Sequence, residues 1–259
     1  MNMAKKIKND VDFSKVRWMG YDWFKQEDWG IIHPDKPNKY NSYDCVKISN
    51  NQLILSIKYS PKTIVCDDNT ILKPDFGIGL VTCLTKFTYG AFEIDAKLPI
   101  GRNLWPSFWA YSWKTWPPEI DIFEGYSVKN GKYFNFKISN VSSWWRKIFR
   151  WNLESNYHVN SDDKSKNVDT WSVFDTKKNP CENFINYKLI WTPQYIEWVY
   201  DNKVIRHVED PEIINMLNET KELRIILNNS CTNDYTKKDF NNYKTDFIID
   251  KFLYTPYSL

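Results

Sequence analysis

The stretch Gly90-Ala91-Phe92-Glu93-Ile94-Asp95-Ala96-Lys97-Leu98 sets four apolar side chains, Phe92, Ile94, Ala96 and Leu98, against the charged Glu93, Asp95 and Lys97. In extended chain successive side chains point to opposite sides, so this alternation describes a strand with one dry and one wet face. Working outward, segments rich in β-branched and aromatic residues recur near Gln52–Lys58, Gly79–Phe87, Leu104–Tyr111 and Glu119–Glu124. Others lie near Phe184–Trp191, Tyr195–Tyr200, Lys203–Val208, Leu223–Asn229 and Phe247–Tyr254. Many short strands with turn signals between them are the pattern of an all-β sandwich. Asp201-Asn202 reads as a tight hairpin turn. The persuasive helix start is Asp210 as cap with Pro211 in the first helical position, followed by Glu212 to Leu217. Between Gly131 and Asn183 the periodicity fades into polar, lysine-rich sequence, and so long a loop is expected to be functional. No linker rich in Pro, Gly or Ser interrupts the chain, which is read as one domain over residues 1–259.

Composition excludes several classes. A chain of 259 residues can bury a sizeable core without disulfides. Aromatic residues make up 17%, with 13 Trp and 16 Tyr, more than such a core needs, and surplus Trp and Tyr commonly serve recognition. A formal charge of +3 is too small to imply a nucleic-acid partner. Cys45, Cys66, Cys83, Cys181 and Cys231 are scattered and odd in number; they are read as buried thiols, with a single disulfide left open. His33, His158 and His207 lack metal-ligand spacing, so no metal site is read. There is no Gly-x-Ser-x-Gly elbow and no P-loop. Gly77-Ile78-Gly79 opens a β-type run with Thr82 at the third glycine position, which rejects a dinucleotide fingerprint. Met1 to Ser14 is basic without an apolar core, so no signal peptide is read, and no run approaches membrane-spanning length.

Chemistry is suggested by Glu119-Ile120-Asp121-Ile122-Phe123-Glu124. Glu119 and Asp121 share a strand face, whereas strict alternation would send Glu124 to the other. A one-residue bulge around Ile122-Phe123 would return it. The plain alternative is an edge strand with solvated acids, but Ile120, Ile122 and Phe123 are apolar and Trp116-Pro117-Pro118 abuts the run. Crowded carboxylates raise one another's pKa, as a general acid near neutral pH requires. A glycosidase needs this arrangement, with one carboxylate attacking the anomeric carbon and a protonated one serving the departing oxygen.

Glu-x-Asp-x-x-Glu resembles the catalytic signature of glycoside hydrolase family 16, the laminarinase, agarase and carrageenase group. The form without the extra residue is similar to lichenases and xyloglucan transglycosylases, so the bulged form points away from those. Lys86-Phe87-Thr88-Tyr89-Gly90-Ala91-Phe92-Glu93 resembles the family's strand entering the catalytic sheet, and Leu104-Trp105-Pro106-Ser107-Phe108-Trp109 its Trp-Pro-Ala-Phe-Trp strand. Ser155-Asn156-Tyr157-His158 is similar to a segment that places a His in the cleft. Phe184 to Asp201, with Trp191-Thr192-Pro193, resembles the later strand pair, and Asp246 to Tyr254 the closing strand. The resemblance implies a concanavalin-like β-jelly-roll sandwich with a concave cleft, Glu119 as nucleophile, Glu124 as acid/base and Asp121 assisting both. It implies no required cofactor, although relatives can hold a structural calcium ion. The loop from Val128 to Asp175 matches no member type.

Trp105, Ser107, Trp109 and Tyr111 fall on one strand face, where sugars could stack on indole rings. By resemblance Trp109 would floor the subsite beside the nucleophile; the alternative is a core Trp, and for Trp105 the two stand level. Trp116 either lines the cleft or packs, and His158 either bonds a sugar hydroxyl or is structural. Trp144-Trp145-Arg146-Lys147-Ile148-Phe149-Arg150-Trp151 reads first as an amphipathic loop, or as a grip on an anionic polysaccharide. The resulting expectation is a monomeric, retaining endo-hydrolase of a β-linked polysaccharide, acting outside the cell or at its surface. A β-1,3-glucan or mixed-linkage β-glucan is the first choice, and a galactan, sulfated or not, such as agar, porphyran or carrageenan, the second. Rivals are a transglycosylase and a non-catalytic carbohydrate-binding or virion-attachment module.

Overall fold

A computed structural model describes residues 15–26, 36–66, 68–101, 103–114, 116–125, 152–159, 172–175, 178–242 and 244–258. Its strands form two large sheets and one two-stranded hairpin, Ile64–Val65 with Ile71–Leu72. The seven-stranded sheet runs in the order Lys203–Val208, Ile196–Tyr200, Ile185–Trp191, Gly90–Lys97, Phe247–Pro256, Gln52–Leu55 and Val46–Ser49. The ten-stranded sheet follows the path Lys15–Trp18, Tyr21–Phe24, Phe76–Cys83, Arg224–Cys231, Leu104–Tyr111, Glu119–Glu124, Asn152–His158 and Ser172–Asp175. Lys39–Asn41 and Ile57–Tyr59 also pair with its Phe76–Cys83 strand. Except for the parallel Lys39–Asn41 pair, these ladders are antiparallel. This is the expected jelly-roll sandwich.

The sheets meet through the residues that alternation selected. Phe92, Ile94, Ala96 and Leu98 join Phe108, Ala110, Ile120, Leu189, Ile225 and Leu227 in one buried core. On the wet face of Gly90–Lys97, Glu93 accepts from Lys188 at 2.7 Å and Lys251 at 2.8 Å. Burial opposes the Glu93 charge, yet these ammonium groups and Asn186 hold its pKa down at about 2. Asp201 and Asn202, with φ of 47° and 64°, make the expected hairpin turn. The Asp210 side chain accepts from Glu212 and Ile213 N–H at the head of helix Pro211–Asn218.

Several boundaries differ from expectation. The Gln52–Lys58 segment breaks at Ser56, and its second half crosses to the other sheet. The strand read as Gly79–Phe87 instead spans Phe76–Cys83. A Cβ on Gly79 would lie 2.5 Å from the Cys45 carbonyl oxygen, so this glycine serves close strand packing. Inside the stretch read as aperiodic lie the strands Asn152–His158 and Ser172–Asp175. In the first, Leu153, Ser155 and Tyr157 face inward, and a serine among them masks the period. Helix Lys237–Asn242 is polar; its readable sign was Thr236 and Asp239, which cap each other's backbone N–H. Trp144 to Trp151 lies outside the described residues. Among the described residues no helix is long and apolar enough to cross a membrane.

Candidate active site

The bulge is present at the expected place. Along Leu104–Tyr111, Tyr111 pairs with Glu119, Trp109 with Asp121, Phe108 with Phe123 and Ser107 with Glu124, so Ile122 is the extra residue. Along Asn152–His158, Asp121 pairs with Asn156 and Glu124 with Glu154, the same one-residue slip. Ile122 and Phe123 are both fully buried, and Glu124 returns to the face that carries Glu119 and Asp121. A bulge takes backbone groups out of the ladder. Two side chains from the facing sheet meet them: Trp198 donates its indole N–H to the Asp121 carbonyl at 2.8 Å, and the Tyr200 hydroxyl donates to the Ile122 carbonyl. Sequence reading did not single out this pair, because only the sandwich brings Ile196–Tyr200 beneath the acids.

The outer face of the ten-stranded sheet thus brings Trp105, Trp109, Trp116 and His158 together with Glu119, Asp121 and Glu124. Trp116 donates Nε1–H to Glu119 Oε2 at 2.8 Å, and its ring centroid lies 5.9 Å from that of His158. His158 Nε2 lies 3.7 Å from Glu119 Oε1 and 3.4 Å from Asp121 Oδ2. Trp105 donates Nε1–H to Glu124 Oε1 at 2.8 Å, and Asn156 reaches Glu124 Oε2 at 3.5 Å. Trp109 is half-buried against Leu80, Tyr111 and Ile226, and its N–H donates to Asn228 Oδ1 at 2.7 Å. Asn156 and Asn228 were not nominated; Asn156 was legible within the Ser-Asn-x-His segment, whereas nothing local marks Asn228.

Electrostatics follow from this crowding. Burial first, then the Asp121 charge, pushes Glu119 up to about 8, while His158 and the Trp116 N–H pull the other way. Glu124 is also raised, again by burial first, against the pull of Trp105, His158, Lys36 and Asn156. Two raised neighbours titrate as a pair, sharing protons over a range above ordinary carboxylates. One proton on the pair is the state acid/base chemistry needs, although a nucleophile must be the ionised member.

Glu119, Asp121 and His158 also present ligand atoms within 4.8 Å of one another, a set able to hold a cation. Calcium takes six to eight oxygen ligands, and an imidazole with two carboxylates does not suit it. The set therefore gives no support to a structural calcium here, and the chemistry below uses none.

Comparison with known proteins agrees with the geometry. The model for glycosyl hydrolases family 16 matches residues 36–249. Over 189 residues the chain is 24% identical to an endo-1,3-1,4-beta-glycanase, ExsH, of Rhizobium meliloti (strain 1021), covering 72% of this chain and 34% of that protein. The chain spans about a third of the length of the curated relatives it matches. Among solved structures, the catalytic domain of an endo-1,3-beta-glucanase (laminarinase) from Thermotoga petrophila RKU-1 superposes with a TM-score of 0.68 at 16% identity, covering 99% of this chain and 100% of that one. Porphyranase B from Zobellia galactanivorans superposes with a TM-score of 0.66 at 16% identity, covering 98% and 90%. At these identities the superpositions speak for the fold. The family match, which spans most of the chain, shows that it belongs to glycosyl hydrolases family 16.

Proposed function

We propose that residues 1–259 form one catalytic unit that hydrolyses a β-1,3- or mixed-linkage β-glucan internally, with retention of anomeric configuration. Glu119 is the nucleophile: its carboxylate attacks the anomeric carbon and forms a glycosyl-enzyme. Glu124 gives its proton to the departing glycosidic oxygen, then takes one from the water that releases the sugar. Asp121, buried between them, holds Glu119 and disfavours a second charge on Glu124. Trp109 and Trp116 offer ring surface to the sugar, and His158 reaches a hydroxyl from the far edge. The family's signature order assigns the two roles; indole N–H bonds of equal length meet both carboxylates, Trp116 on Glu119 and Trp105 on Glu124, and do not separate them.

The observation that carries this reading is the bulge at Ile122, which returns Glu124 to the face of Glu119. A binding module has no use for crowded buried carboxylates. The names of the Rhizobium relative and the Thermotoga neighbour both fit β-glucan. The reaction needs no cofactor. We read the protein as a monomer acting outside the cell, where such polymers occur. The test is a reducing-sugar assay over β-glucans, agars, carrageenans and porphyran, with product chromatography. Short oligosaccharides from a β-glucan support the proposal. Cleavage of galactans alone would move the substrate to the second choice, longer products would mark a transglycosylase, and inertness on all would return the binding-module reading.

A further inference from the structure

Two groups of cations flank the carboxylates. Beside Glu124, Lys36 Nζ sits 4.3 Å over the Trp105 ring, and Lys39 Nζ, on a residue only 5% exposed, is 5.5 Å from the same ring. Among the described residues no carboxylate is ion-paired with Lys36. Beyond Glu119, the Trp113 ring is met by Lys86 at 3.7 Å, Lys114 at 5.4 Å and Arg224 at 5.5 Å. Glu222 is the carboxylate among them, 3.4 Å from Lys114 and 3.9 Å from Lys86. Arg224 pairs with Tyr111, which pairs in turn with Glu119, so this cluster borders the same face.

Trp105 therefore does not offer a bare indole to a sugar. An ammonium held over the ring by its quadrupole covers that face and keeps its own donors. A neutral sugar gives such a group only hydroxyls. A carboxylate or sulfate gives a charge-assisted hydrogen bond, roughly twice as strong. Lys36 also bears on the chemistry. Burial raises Glu124 first of all, and Lys36 is one of the groups drawing its proton off. A substrate anion paired with Lys36 would cancel that pull and help Glu124 keep the proton it donates.

We propose that Lys36, held on Trp105 and backed by Lys39, is a cationic subsite for an acidic substituent, carboxylate or sulfate, on the sugar beside Glu124. The Trp113 cluster extends the same preference to the other end of the site. This rests on the hydrolase reading above and adds the charge class of its substrate. The experiment compares the wild type, Lys36→Met and Lys36→Arg on one β-glucan backbone in neutral, carboxymethylated and sulfated forms, with circular dichroism as a check of folding. The wild type should prefer an anionic form by about tenfold in kcat/KM, the scale of one hydrogen bond to a charged group, and salt should erode the preference. Lys36→Met should lose that preference through KM, and Lys36→Arg should keep it. The two anionic arms tell carboxylate from sulfate. An equal preference ratio in wild type and Lys36→Met overturns the subsite, as does a fall in kcat alike on all three polymers. If the wild type cleaves none of them, the β-glucan reading fails, and calorimetric titration with the same polymers decides the subsite separately. Tighter binding of the anionic forms that Lys36→Met removes supports it, and equal binding overturns it.

Discussion

Replacing Glu119 by Gln should stabilise the fold, and more so as the pH rises. The Glu119 carboxyl moves from 4.5 to about 8 on folding, because burial and Asp121 disfavour its charge. The folded chain thus binds more protons than the unfolded chain between those values. Stability contributed by this group falls as pH climbs through the window, and the full cost is reached above it. A shift of this size corresponds to at most about 5 kcal/mol. Solvent reaches 18% of the side chain and Glu124 shares the proton, so a gain of about 2–3 kcal/mol is expected for Glu119→Gln near pH 9. For a chain of this size that is roughly 5–10 °C in Tm. Near pH 3.5, about one unit below the unfolded value, the carboxyl is mostly protonated in both states and the gain should shrink to about zero. The amide keeps an oxygen for the Trp116 N–H and nearly the same volume, so packing changes little. Differential scanning calorimetry of both proteins at the two pH values reads the difference directly. A gain that is equal at both, or a loss at high pH, would refute the reasoning, since neither outcome is compatible with a charge held against its will.

Four further outcomes follow from the same geometry. Deleting Ile122 places Glu124 four residues after Glu119, on the same face without a bulge; the variant should fold at a cost of about 2–5 kcal/mol for the lost core side chain and keep detectable turnover. Deleting Ile120 instead turns Asp121 into the core, and should abolish folding, as read by circular dichroism and reducing-sugar release. Tyr200→Phe leaves the Ile122 carbonyl without its donor; about 1–3 kcal/mol of stability should go in urea melts, with a fall in kcat rather than a rise in KM. Trp109→Ala should reduce kcat/KM about tenfold, chiefly through KM, while costing about 2–3 kcal/mol through its contacts with Leu80, Tyr111 and Ile226.

What could be read in advance tracks what is local. The alternation of Phe92 to Leu98 was enough for two layers, because a half-wet strand has no other stable use. The bulge was legible because three acids in one apolar run can share a face in only one way. Asn152–His158 escaped because its inward positions include Ser155, and its outward Asn156 and His158 serve the site rather than the period. The N-terminal hairpin, Lys15–Trp18 with Tyr21–Phe24, had its turn written in Met19-Gly20, with φ of 50° and 82°, but strands of four residues give periodicity little to work on. Trp198, Tyr200, Asn228 and Lys36 reach the site only across ladders or between sheets, contacts that no single-strand pattern contains. For Trp105 a stacking platform and a core indole stood level; the structure places it under Lys36 with its N–H on Glu124, which neither strand position nor residue type could disclose.

The division of labour between Glu119 and Glu124 is tested most directly by azide rescue of their alanine variants on an aryl β-glycoside with a good leaving group. Each loss should cost at least about 10²-fold on natural polymer. Glu119→Ala opens the face the nucleophile held, so azide should enter there and give a glycosyl azide of inverted, α configuration. Glu124→Ala still forms the glycosyl-enzyme, and azide in the vacated acid/base position should give the retained, β product. Proton NMR of the anomeric signal distinguishes the two. Opposite configurations in this order are the expected result; the reverse order would exchange the two roles, and wild-type turnover by both variants would remove this acid cluster from the chemistry.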